Sequence, residues 1–426
     1  MKRPRPWKAI ALTFVLTLAA TLLVLNFTSG EKKLDEQVHH EYALQDAQYQ
    51  RALGVMLGPP ITGGNRFEAL QNGDRIFPPM LTAIRGAQRS ITFETYIYWS
   101  GDIGRAFADA LSERARAGVA VHVLLDWVGS AKVDDGFIRE MEAAGVQIRK
   151  FHKPSWYDIG RMNNRTHRKL LVVDGSVGFT GGVGIAPEWT GNAQDPQHWR
   201  DSHYRVEGPV VAQMQAVFMD NWIKVSGDVL HGERYFPPLA DAGNGRAQMF
   251  SSSPSGGSES MHLMYLLSIA AATKTIDLSS AYFVPDDLTV DALVAAMKRG
   301  VRVRIITPGP IIDSKTVRSA SRASWGPLLA AGAEISEYQP TMFHCKVFTV
   351  DGLLVSVGST NFDNRSFRLN DEANLNIYDT AFAAEQTAQF ERDLQQSKRL
   401  SLEAWQARPW HEKAMERLAS LLATQL

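Results

Sequence analysis

The stretch Thr166-His-Arg-Lys-Leu-Leu-Val-Val-Asp-Gly175 is the strongest indication of the fold, because its pattern returns as Phe343-His-Cys-Lys-Val-Phe-Thr-Val-Asp-Gly352. In each copy, a histidine is followed by a lysine two residues later and by an aspartate after a short apolar run. A site that needs two imidazoles is the simplest reason for a chain to carry this pattern twice. The sequence therefore predicts two halves that each bring one motif to a shared site.

Each motif reads as a strand with its histidine and lysine on one face. Side chains alternate with a period of two along a strand, so His167 and Lys169 point to one spot, as do His344 and Lys346. The apolar run after each lysine is typical of buried sheet. A lone histidine there is more often structural, but a core has no need for a charged lysine beside each of two histidines. Both pairs are predicted to be catalytic.

Asp174 and Asp351 close the two motifs, and each is followed by a glycine. An aspartate before glycine is typical of a hairpin turn, and this interpretation is favoured over direct chemistry. Both aspartates nevertheless stay among the candidate catalytic residues because they keep the motif spacing.

Small residues follow each aspartate at a matched distance, as Gly181-Gly-Val-Gly184 and as Gly358-Ser-Thr-Asn361. Such residues let backbone N–H groups and the Ser359 hydroxyl approach an anion closely. Phosphate is the natural candidate for that anion, and Ser359 and Asn361 are predicted to bind it.

An internal repeat supports two related halves. Residues 91–98 and 118–125 read as strands joined by a helix, and residues 276–283 and 300–306 read the same way. A glycine stops each helix, Gly118 in the first copy and Gly300 in the second. This alternation favours a mostly parallel or mixed sheet covered by helices. We expect an α/β protein of two such domains, related by a pseudo-two-fold axis.

Length and charge agree with this division. A chain of 426 residues exceeds what one core usually serves. A Gly- and Ser-rich junction near 239–260 divides it into a first domain at 31–238 and a second at 239–426. Lys+Arg and Asp+Glu both number 45, and this zero net charge gives no support to broad nucleic-acid binding.

The N-terminus predicts a membrane anchor at residues 1–30. Four basic residues precede the uncharged run 9–27, which as a helix would span roughly 28 Å, close to a hydrocarbon core of about 30 Å. A cleavable signal peptide is the competing interpretation, but its apolar stretch is usually about 7–15 residues long. The basic flank places the N-terminus in the cytoplasm. In a bacterium, the catalytic part would then lie on the periplasmic side of the inner membrane.

Metal chemistry is disfavoured by the residue pattern. A lysine two residues from each histidine would repel a bound cation, so neither a metal nor any other cofactor is expected. Cys345 is the only cysteine, and a strand would turn its thiol away from His344, so it is predicted to be buried and inert. A serine nucleophile lacks the supporting Gly-x-Ser-x-Gly context.

The doubled His-x-Lys-x4-Asp motif with Gly-Ser-x-Asn resembles the phospholipase D superfamily. Within it, the segments 281–285, 358–367 and 369–372 are similar to bacterial cardiolipin synthases, and the likeness runs from about Arg75 to the C-terminus. One departure is Gly184, which stands where the family usually has an asparagine matching Asn361. This predicts weaker phosphate binding by the first half.

The resemblance implies a phosphatidyltransferase that moves a phosphatidyl group between phospholipids, typically phosphatidylglycerol, through a phosphohistidine. It implies that His167 is the nucleophile and His344 the acid/base, and that Asp201 and Glu372 orient the histidines. Hydrolysis of phospholipids stays open as an alternative. A nuclease and a non-catalytic lipid-binding protein are less favoured, and the expected partners are phospholipids and a membrane rather than nucleic acid.

Two further features surround the motifs. Glu94 is a carboxylate in an apolar strand, which is costly unless it is paired or lines a cleft, so it is predicted to bind substrate. A basic stretch before and within the first motif could recruit a second anionic headgroup, although a solvated loop is the default interpretation. Its members are Lys153, Arg161, Arg165 and Arg168, with Trp156 and Tyr157 between them as possible interface residues.

Overall fold

A computed structural model describes residues 6–27, 34, 36–151, 163–254 and 260–425. The helices are α1 (Pro6–Phe27), α2 (Ala47–Met56), α3 (Asn72–Gly86), α4 (Asp102–Arg116), α5 (Asp135–Ala143), α6 (Val210–Ser226), α7 (Ser260–Ala271), α8 (Asp287–Lys298), α9 (Lys315–Ala323), α10 (Trp325–Ala330), α11 (Asn364–Arg368), α12 (Thr380–Gln395), α13 (Leu402–Gln406) and α14 (Trp410–Ser420). Short 3-10 helices cover Pro187–Trp189 and Ala423–Gln425.

The strands are β1 (Thr62–Gln71), β2 (Ser90–Thr95), β3 (Ala120–Asp126), β4 (Gln147–Phe151), β5 (Arg165–Thr166), β6 (Leu170–Val173), β7 (Val177–Gly181), β8 (Ser202–Glu207), β9 (Gly245–Ser252), β10 (Thr275–Ser280), β11 (Phe283–Val284), β12 (Arg302–Pro308), β13 (Glu334–Tyr338), β14 (Lys346–Val350), β15 (Leu354–Gly358), β16 (Phe362–Asp363), β17 (Asn370–Tyr378) and β18 (Ser397–Leu400). We call β1 to α6 the first repeat and β9 to α12 the second repeat.

One sheet runs through both repeats in the order β18-β13-β12-β10-β14-β15-β17-β9-β1-β8-β7-β6-β2-β3-β4. Outward from the central β1 and β9, corresponding strands follow in the same order on each side, and β18 extends only the second repeat. β1 and β9 are antiparallel, as a two-fold axis between them requires. In the first repeat, β2, β3 and β4 are parallel while the inner strands are antiparallel. The predicted α/β fold with a mixed sheet and two repeats is confirmed.

The predicted repeat units are present at the expected places. β2, α4 and β3 form the strand–helix–strand unit of the first repeat, and β10, α8 and β12 form that of the second. Gly118 and Gly300 follow the helices with φ of +88° and +93°. A side chain at this left-handed backbone conformation would be strained, so glycine ends each helix.

Three large apolar cores hold the sheet and helices, beside smaller clusters. One lies in the first repeat, one in the second, and a third spans both repeats, because it includes α6 residues such as Phe218 together with Val355 and Leu375. The sequence assigns residues 31–57 to the first domain, but α2 packs on the second repeat. Tyr49 of α2 is buried in the second core, and its hydroxyl lies 2.9 Å from Ser268 Oγ.

The N-terminal region differs from the expectation of a spanning anchor. A helix, α1, occupies Pro6–Phe27. Across the parts of the chain that the structure describes, no helix is both long enough and apolar enough to cross a membrane. The transmembrane element therefore stays a prediction from the sequence.

Candidate active site

Both motif histidines lie at the carboxyl edge of the parallel strands. β6 pairs antiparallel with β2, so the start of β6 lies beside the end of β2, and β14 stands in the same relation to β10. β6 begins at Leu170 and β14 at Lys346. The prediction that the histidines lie within strands is wrong by two or three residues, because each occupies the extended connection that leads into its strand.

The two histidines line one cavity of about 480 Å³. Lys169 and Asn361 line it as well, with walls that include Tyr96, Arg165, Trp189, Trp199, Tyr282 and Arg365. Lys346 contributes its charge to the same place, since it is one of the groups that lower the pKa of His167. The structure thus brings the two predicted His/Lys pairs together in a single site.

The histidines are oriented by carboxylates from the opposite repeats. Nδ1 of His167 lies 3.0 and 3.1 Å from the carboxylate oxygens of Glu372, and Nδ1 of His344 lies 2.7 Å from Oδ2 of Asp201. A carboxylate only accepts, so each Nδ1–H donates to its carboxylate, which leaves Nε2 of His167 able to attack and Nε2 of His344 able to take up or release a proton. The predicted orienting residues therefore contact the histidines, but in a crossed arrangement.

Backbone pairing between the repeats explains this crossing. β5 pairs in parallel with the start of β17, and the His167 amide donates to the carbonyl of Asp371 at 2.9 Å. In the same way, the His344 amide donates to the carbonyl of Arg200 at 2.8 Å. His167 therefore lies beside Asp371, the residue before Glu372. His344 lies beside Arg200, the residue before Asp201.

Both lysines are buried, and each donates a hydrogen bond to the backbone carbonyl of the histidine in its own motif. Nζ of Lys169 donates to the His167 carbonyl at 2.8 Å, and Nζ of Lys346 donates to the His344 carbonyl at 2.7 Å. Burial, aided by the charge of Lys346, lowers the pKa of Lys169 to about 7. Burial likewise lowers the pKa of Lys346. Two buried ammonium groups favour an anionic ligand, which would restore their charged forms.

Burial also sets the charge state of the two imidazoles. It lowers the pKa of His167 to about 4, with a further contribution from the charge of Lys169. Burial and the charge of Lys346 lower the pKa of His344. Burial would raise the pKa of Glu372, but interactions with His167 and Lys169 lower it to about 2. A neutral imidazole beside an ionised carboxylate is the form in which His167 can act as a nucleophile.

The small-residue segments play different parts in the two repeats. Ser359 Oγ donates to Glu372 Oε2 at 2.5 Å, so its hydroxyl supports the orienting carboxylate, and Ser359 is not among the described residues that line the cavity. In the first repeat, Trp189 Nε1 donates to Asp201 Oδ2 at 2.9 Å in the equivalent role. Sequence reasoning missed Trp189, which lies in a non-repeated segment. Only Asn361 keeps the predicted position, with Oδ1 buried and without a partner among the described residues.

The departure at Gly184 has a steric cause. A Cβ at this position would lie 2.8 Å from Cβ of Ile97 and 3.2 Å from the ring of Trp189. Real Cβ contacts this short force neighbours to move, so an asparagine does not fit in the present packing. Trp189 therefore occupies space that the second repeat leaves to Asn361.

Asp174 and Asp351 lie at the far ends of their strands. The Asp174 carboxylate accepts from the backbone amides of Gln88, Arg89 and Ser90 at 2.7–3.1 Å. The Asp351 carboxylate accepts in the same way from the amides of residues 273–275. Both aspartates have φ of +52° at their turns. The turn interpretation is confirmed, and their place among the candidate catalytic residues is corrected.

Glu94 lies beneath the site and is not among the described residues that line the cavity. Its Oε1 accepts from Thr166 Oγ1 at 2.5 Å and from Asn221 Nδ2 at 2.8 Å, while Oε2 has no partner in the described part of the chain. Burial raises the pKa of Glu94 to about 7. Glu94 therefore holds the segment before His167 in place, and the substrate binding predicted for it from the sequence is corrected.

Replacing Glu94 by glutamine should change how stability depends on pH. The folded pKa of about 7 exceeds the ordinary glutamate value of 4.5, so the folded state binds more protons than the unfolded state between those pH values. Unfolding free energy is consequently lost as pH rises from 4.5 to about 7. Glu94→Gln removes this loss, so relative to wild type it should gain up to about 3 kcal/mol between pH 4.5 and pH 8.

Urea unfolding at the two pH values measures this difference. Glu142→Gln, at an exposed glutamate on α5, is the matched control. Its unfolding free energy should differ from that of wild type by the same amount at both pH values. If the difference in unfolding free energy between Glu94→Gln and wild type were the same at both pH values, the raised pKa assigned to Glu94 would be contradicted.

The remaining sequence predictions have mixed outcomes. Cys345 is buried, as predicted. Of the basic stretch, Arg165 lines the cavity, whereas Arg168 turns into the core and donates to the Val217 carbonyl at 2.8 Å. Lys153, Trp156, Tyr157 and Arg161 lie outside the described residues. No group of three or more His, Cys, Asp or Glu within the described ranges is placed to hold a metal ion, and independence from metal stays a prediction.

The doubled fold and the crossed His/carboxylate pairs define a two-repeat protein of the phospholipase D type. The family model described as "Cardiolipin synthase, PLD-like domain" matches residues 80–222 and 265–394. The chain therefore belongs to the cardiolipin synthase family within the phospholipase D superfamily, and it is an enzyme of that superfamily.

Relatives of known name agree with this membership. A cardiolipin synthase of Geobacillus kaustophilus is 34% identical over 370 residues, which cover 86% of this chain and 74% of the relative. A probable cardiolipin synthase of Bacillus subtilis is 37% identical over 364 residues, covering 84% and 72%. The crystal structure of phosphatidylserine synthase from Haemophilus influenzae has the same fold, with a TM-score of 0.66 at 14% identity, covering 84% of this chain and 95% of that one.

Proposed function

We propose that the protein transfers a phosphatidyl group from one phosphatidylglycerol to the hydroxyl of another, giving cardiolipin and glycerol. The observation that carries this proposal is the pair of histidines, each held by a carboxylate through Nδ1, that line one cavity. The relatives named as cardiolipin synthases support the choice of phospholipid.

The geometry supports a reaction in two displacements. Nε2 of His167 attacks phosphorus, and the P–O bond to the headgroup breaks while His344, which enters the step as an imidazolium held by Asp201, donates its Nε2 proton to the departing oxygen. The resulting phosphohistidine is then attacked by the hydroxyl of the second lipid. His344 takes the proton from that hydroxyl, and the P–N bond to His167 breaks. Lys169 and Lys346 stabilise negative charge on the non-bridging oxygens throughout.

The surroundings of His344 favour an alcohol acceptor over water. Its ring is bordered by the rings of Trp189, Trp199 and Tyr282, with centroid distances of 5.2, 5.4 and 6.4 Å. An apolar wall at the acid/base limits the water that can reach the intermediate. Hydrolysis to phosphatidic acid is the second candidate, because the same residues would serve water as acceptor.

Incubation of the purified protein with phosphatidylglycerol, followed by mass spectrometry of the lipids, tests the proposal. We expect cardiolipin and glycerol in equal amounts, both without added metal and in excess chelator. Phosphatidic acid as the main product would assign hydrolysis instead. Unchanged lipid would refute both, and a reversible loss of activity in chelator would overturn the metal-free scheme.

The cellular location is a separate proposal that rests on the sequence alone. We propose that the N-terminal segment attaches the chain to the bacterial inner membrane, with the catalytic part on the periplasmic side, because basic residues precede the uncharged run 9–27. A reporter that is active only after export should be active when it is fused after residue 426. Activity of a reporter that works only in the cytoplasm would reverse this orientation.

A further inference from the structure

The last long helix, α14, carries an apolar face that nothing in the described chain covers. Trp410 is 80% exposed and Leu421, just beyond the helix, is 73% exposed. Met415, Leu418 and Leu422 are also exposed. Positions 410, 414, 418 and 421 fall on one side of a helix, and the remaining apolar residues border them. A contiguous exposed apolar patch of this kind marks an interaction site.

The opposite face fixes this helix against the second half of the chain. Glu416 accepts from Arg322 Nε at 3.0 Å and from Arg408 Nη2 at 2.6 Å, and all three groups are largely buried. Ala419 is buried in a small apolar cluster with Val317 and Ala320 of α9. The exposure of the apolar face therefore follows from how α14 is docked.

The same segment borders the catalytic cavity. After α14, the carbonyl of Ala423 accepts from Asn364 Nδ2 at 3.2 Å. Gln425 lines the cavity itself, and its Oε1 accepts from Asn163 Nδ2 at 2.9 Å. The apolar face thus lies next to the cavity that takes the substrate.

A second exposed apolar pair lies at this edge of the sheet. Trp127 and Val128 are partly exposed and directly follow Asp126. The Asp126 carboxylate accepts from the amide of Thr166 at 3.0 Å, one residue before His167. Exposed apolar side chains therefore occur on both repeats near the cavity.

Charge on the flank of the helix identifies the partner. Lys413 and Arg417 are exposed along one border of the apolar face, and neither has an ion pair of 4.0 Å or less among the described residues. An apolar face bordered by cations, with tryptophan at one end, suits the interface of an anionic bilayer. We propose that α14 lies in an anionic phospholipid surface and holds the mouth of the catalytic cavity against it. This inference rests on the proposed function for its lipid substrate.

Site-specific labelling tests the docking without any measurement of activity. Cys345 is buried, so the full-length Leu418→Cys variant can be labelled at residue 418 with an environment-sensitive fluorophore. In vesicles of phosphatidylglycerol with brominated acyl chains, we expect at least a twofold loss of its emission. Glu142→Cys, on the exposed face of α5, is the matched control and should lose none. Because the readout is local, attachment through the N-terminal segment does not mask it.

Several outcomes would overturn the proposal. They are an unquenched label at residue 418, equal quenching at residues 418 and 142, and a vesicle-independent disulfide between two copies of Leu418→Cys, which would assign the face to a second copy. Removing the cations supplies a further check in the same assay. Lys413→Gln and Arg417→Gln should each weaken affinity for anionic vesicles about fivefold, because each charge contributes about 1 kcal/mol.

Activity measurements then separate this inference from the proposed function. The double variant Leu418→Asp/Leu421→Asp should lose about tenfold in turnover of vesicle lipid and keep its turnover of short-chain, dispersed phosphatidylglycerol. If this variant turned over both substrates at the same fraction of the wild-type rate, a role of α14 in presenting the cavity to lipid would be refuted. A label that is quenched in a protein that turns over no phospholipid would leave docking intact and refute the proposed function.

Discussion

His167→Ala and His344→Ala are each expected to abolish phosphatidyl transfer while the fold is retained. His167→Ala removes the nucleophile and with it the covalent route. His344→Ala removes the group that protonates the leaving oxygen, a loss of about 10²–10⁴-fold. Both rings line the cavity, so truncation should leave the three apolar cores unchanged. Circular dichroism and thermal unfolding of both variants check that the fold survives.

The two variants should differ with a substrate whose leaving group needs no protonation, such as a p-nitrophenyl phosphodiester. His344→Ala should then release one equivalent of nitrophenol and stall with an acid-labile adduct on His167, because the base for the second step is missing. His167→Ala should form no adduct. Peptide mass spectrometry at neutral pH locates the modified ring.

His198→Ala is the matched control, since His198 is a half-buried histidine paired with Asp195 at 2.7 Å outside the cavity lining. It should keep near-normal turnover. An adduct on His344 in the His167→Ala protein would reverse the assigned roles. Normal turnover in either catalytic variant would remove the two-histidine scheme altogether.

Much of this site could be predicted because its main signals are local in sequence. The spacing of His167 and Lys169, repeated at His344 and Lys346, is enough to indicate one shared site. The strand–helix–strand pattern around Gly118 and Gly300 likewise indicated the doubled sheet. Both signals depend on side chains a few residues apart, which periodicity describes well.

The parts that sequence reasoning missed depend on contacts between distant segments. Ser359 was predicted to face phosphate, yet 13 residues later the chain returns Glu372 to its hydroxyl. Glu94 was expected in the cleft, but α6 brings Asn221 over it. No local pattern reports that β5 pairs with β17, and this pairing decides which carboxylate serves which histidine.

The crossed carboxylates, Glu372 and Asp201, are also expected to be essential for turnover. Glu372→Gln and Asp201→Asn should each lower turnover by about 10²–10⁴-fold, comparable to the loss of an acid/base group. Each amide can turn its NH₂ group to Nδ1 of the histidine, which then accepts and places the proton on Nε2. A ring in that tautomer cannot attack phosphorus from Nε2, and it also loses the carboxylate that stabilises its protonated form.

The crossing makes the two variants separable by half-reaction. Glu372 lies in the second repeat but holds His167, so Glu372→Gln should slow formation of the covalent adduct. Asp201 lies in the first repeat but holds His344, so Asp201→Asn should slow its breakdown and let the adduct accumulate. Rapid-quench measurements with the p-nitrophenyl substrate resolve the two steps.

Asp220→Asn provides the matched control for a lost carboxylate, because Asp220 pairs with Lys224 and Arg168 outside the cavity lining. It should alter neither half-reaction by more than a few-fold. The reverse pattern, with slow formation in Asp201→Asn and slow breakdown in Glu372→Gln, would mean that His344 is the nucleophile. Equal slowing of both steps by each variant would show that the carboxylates only maintain the shape of the cavity, since a purely structural defect has no reason to select one displacement over the other.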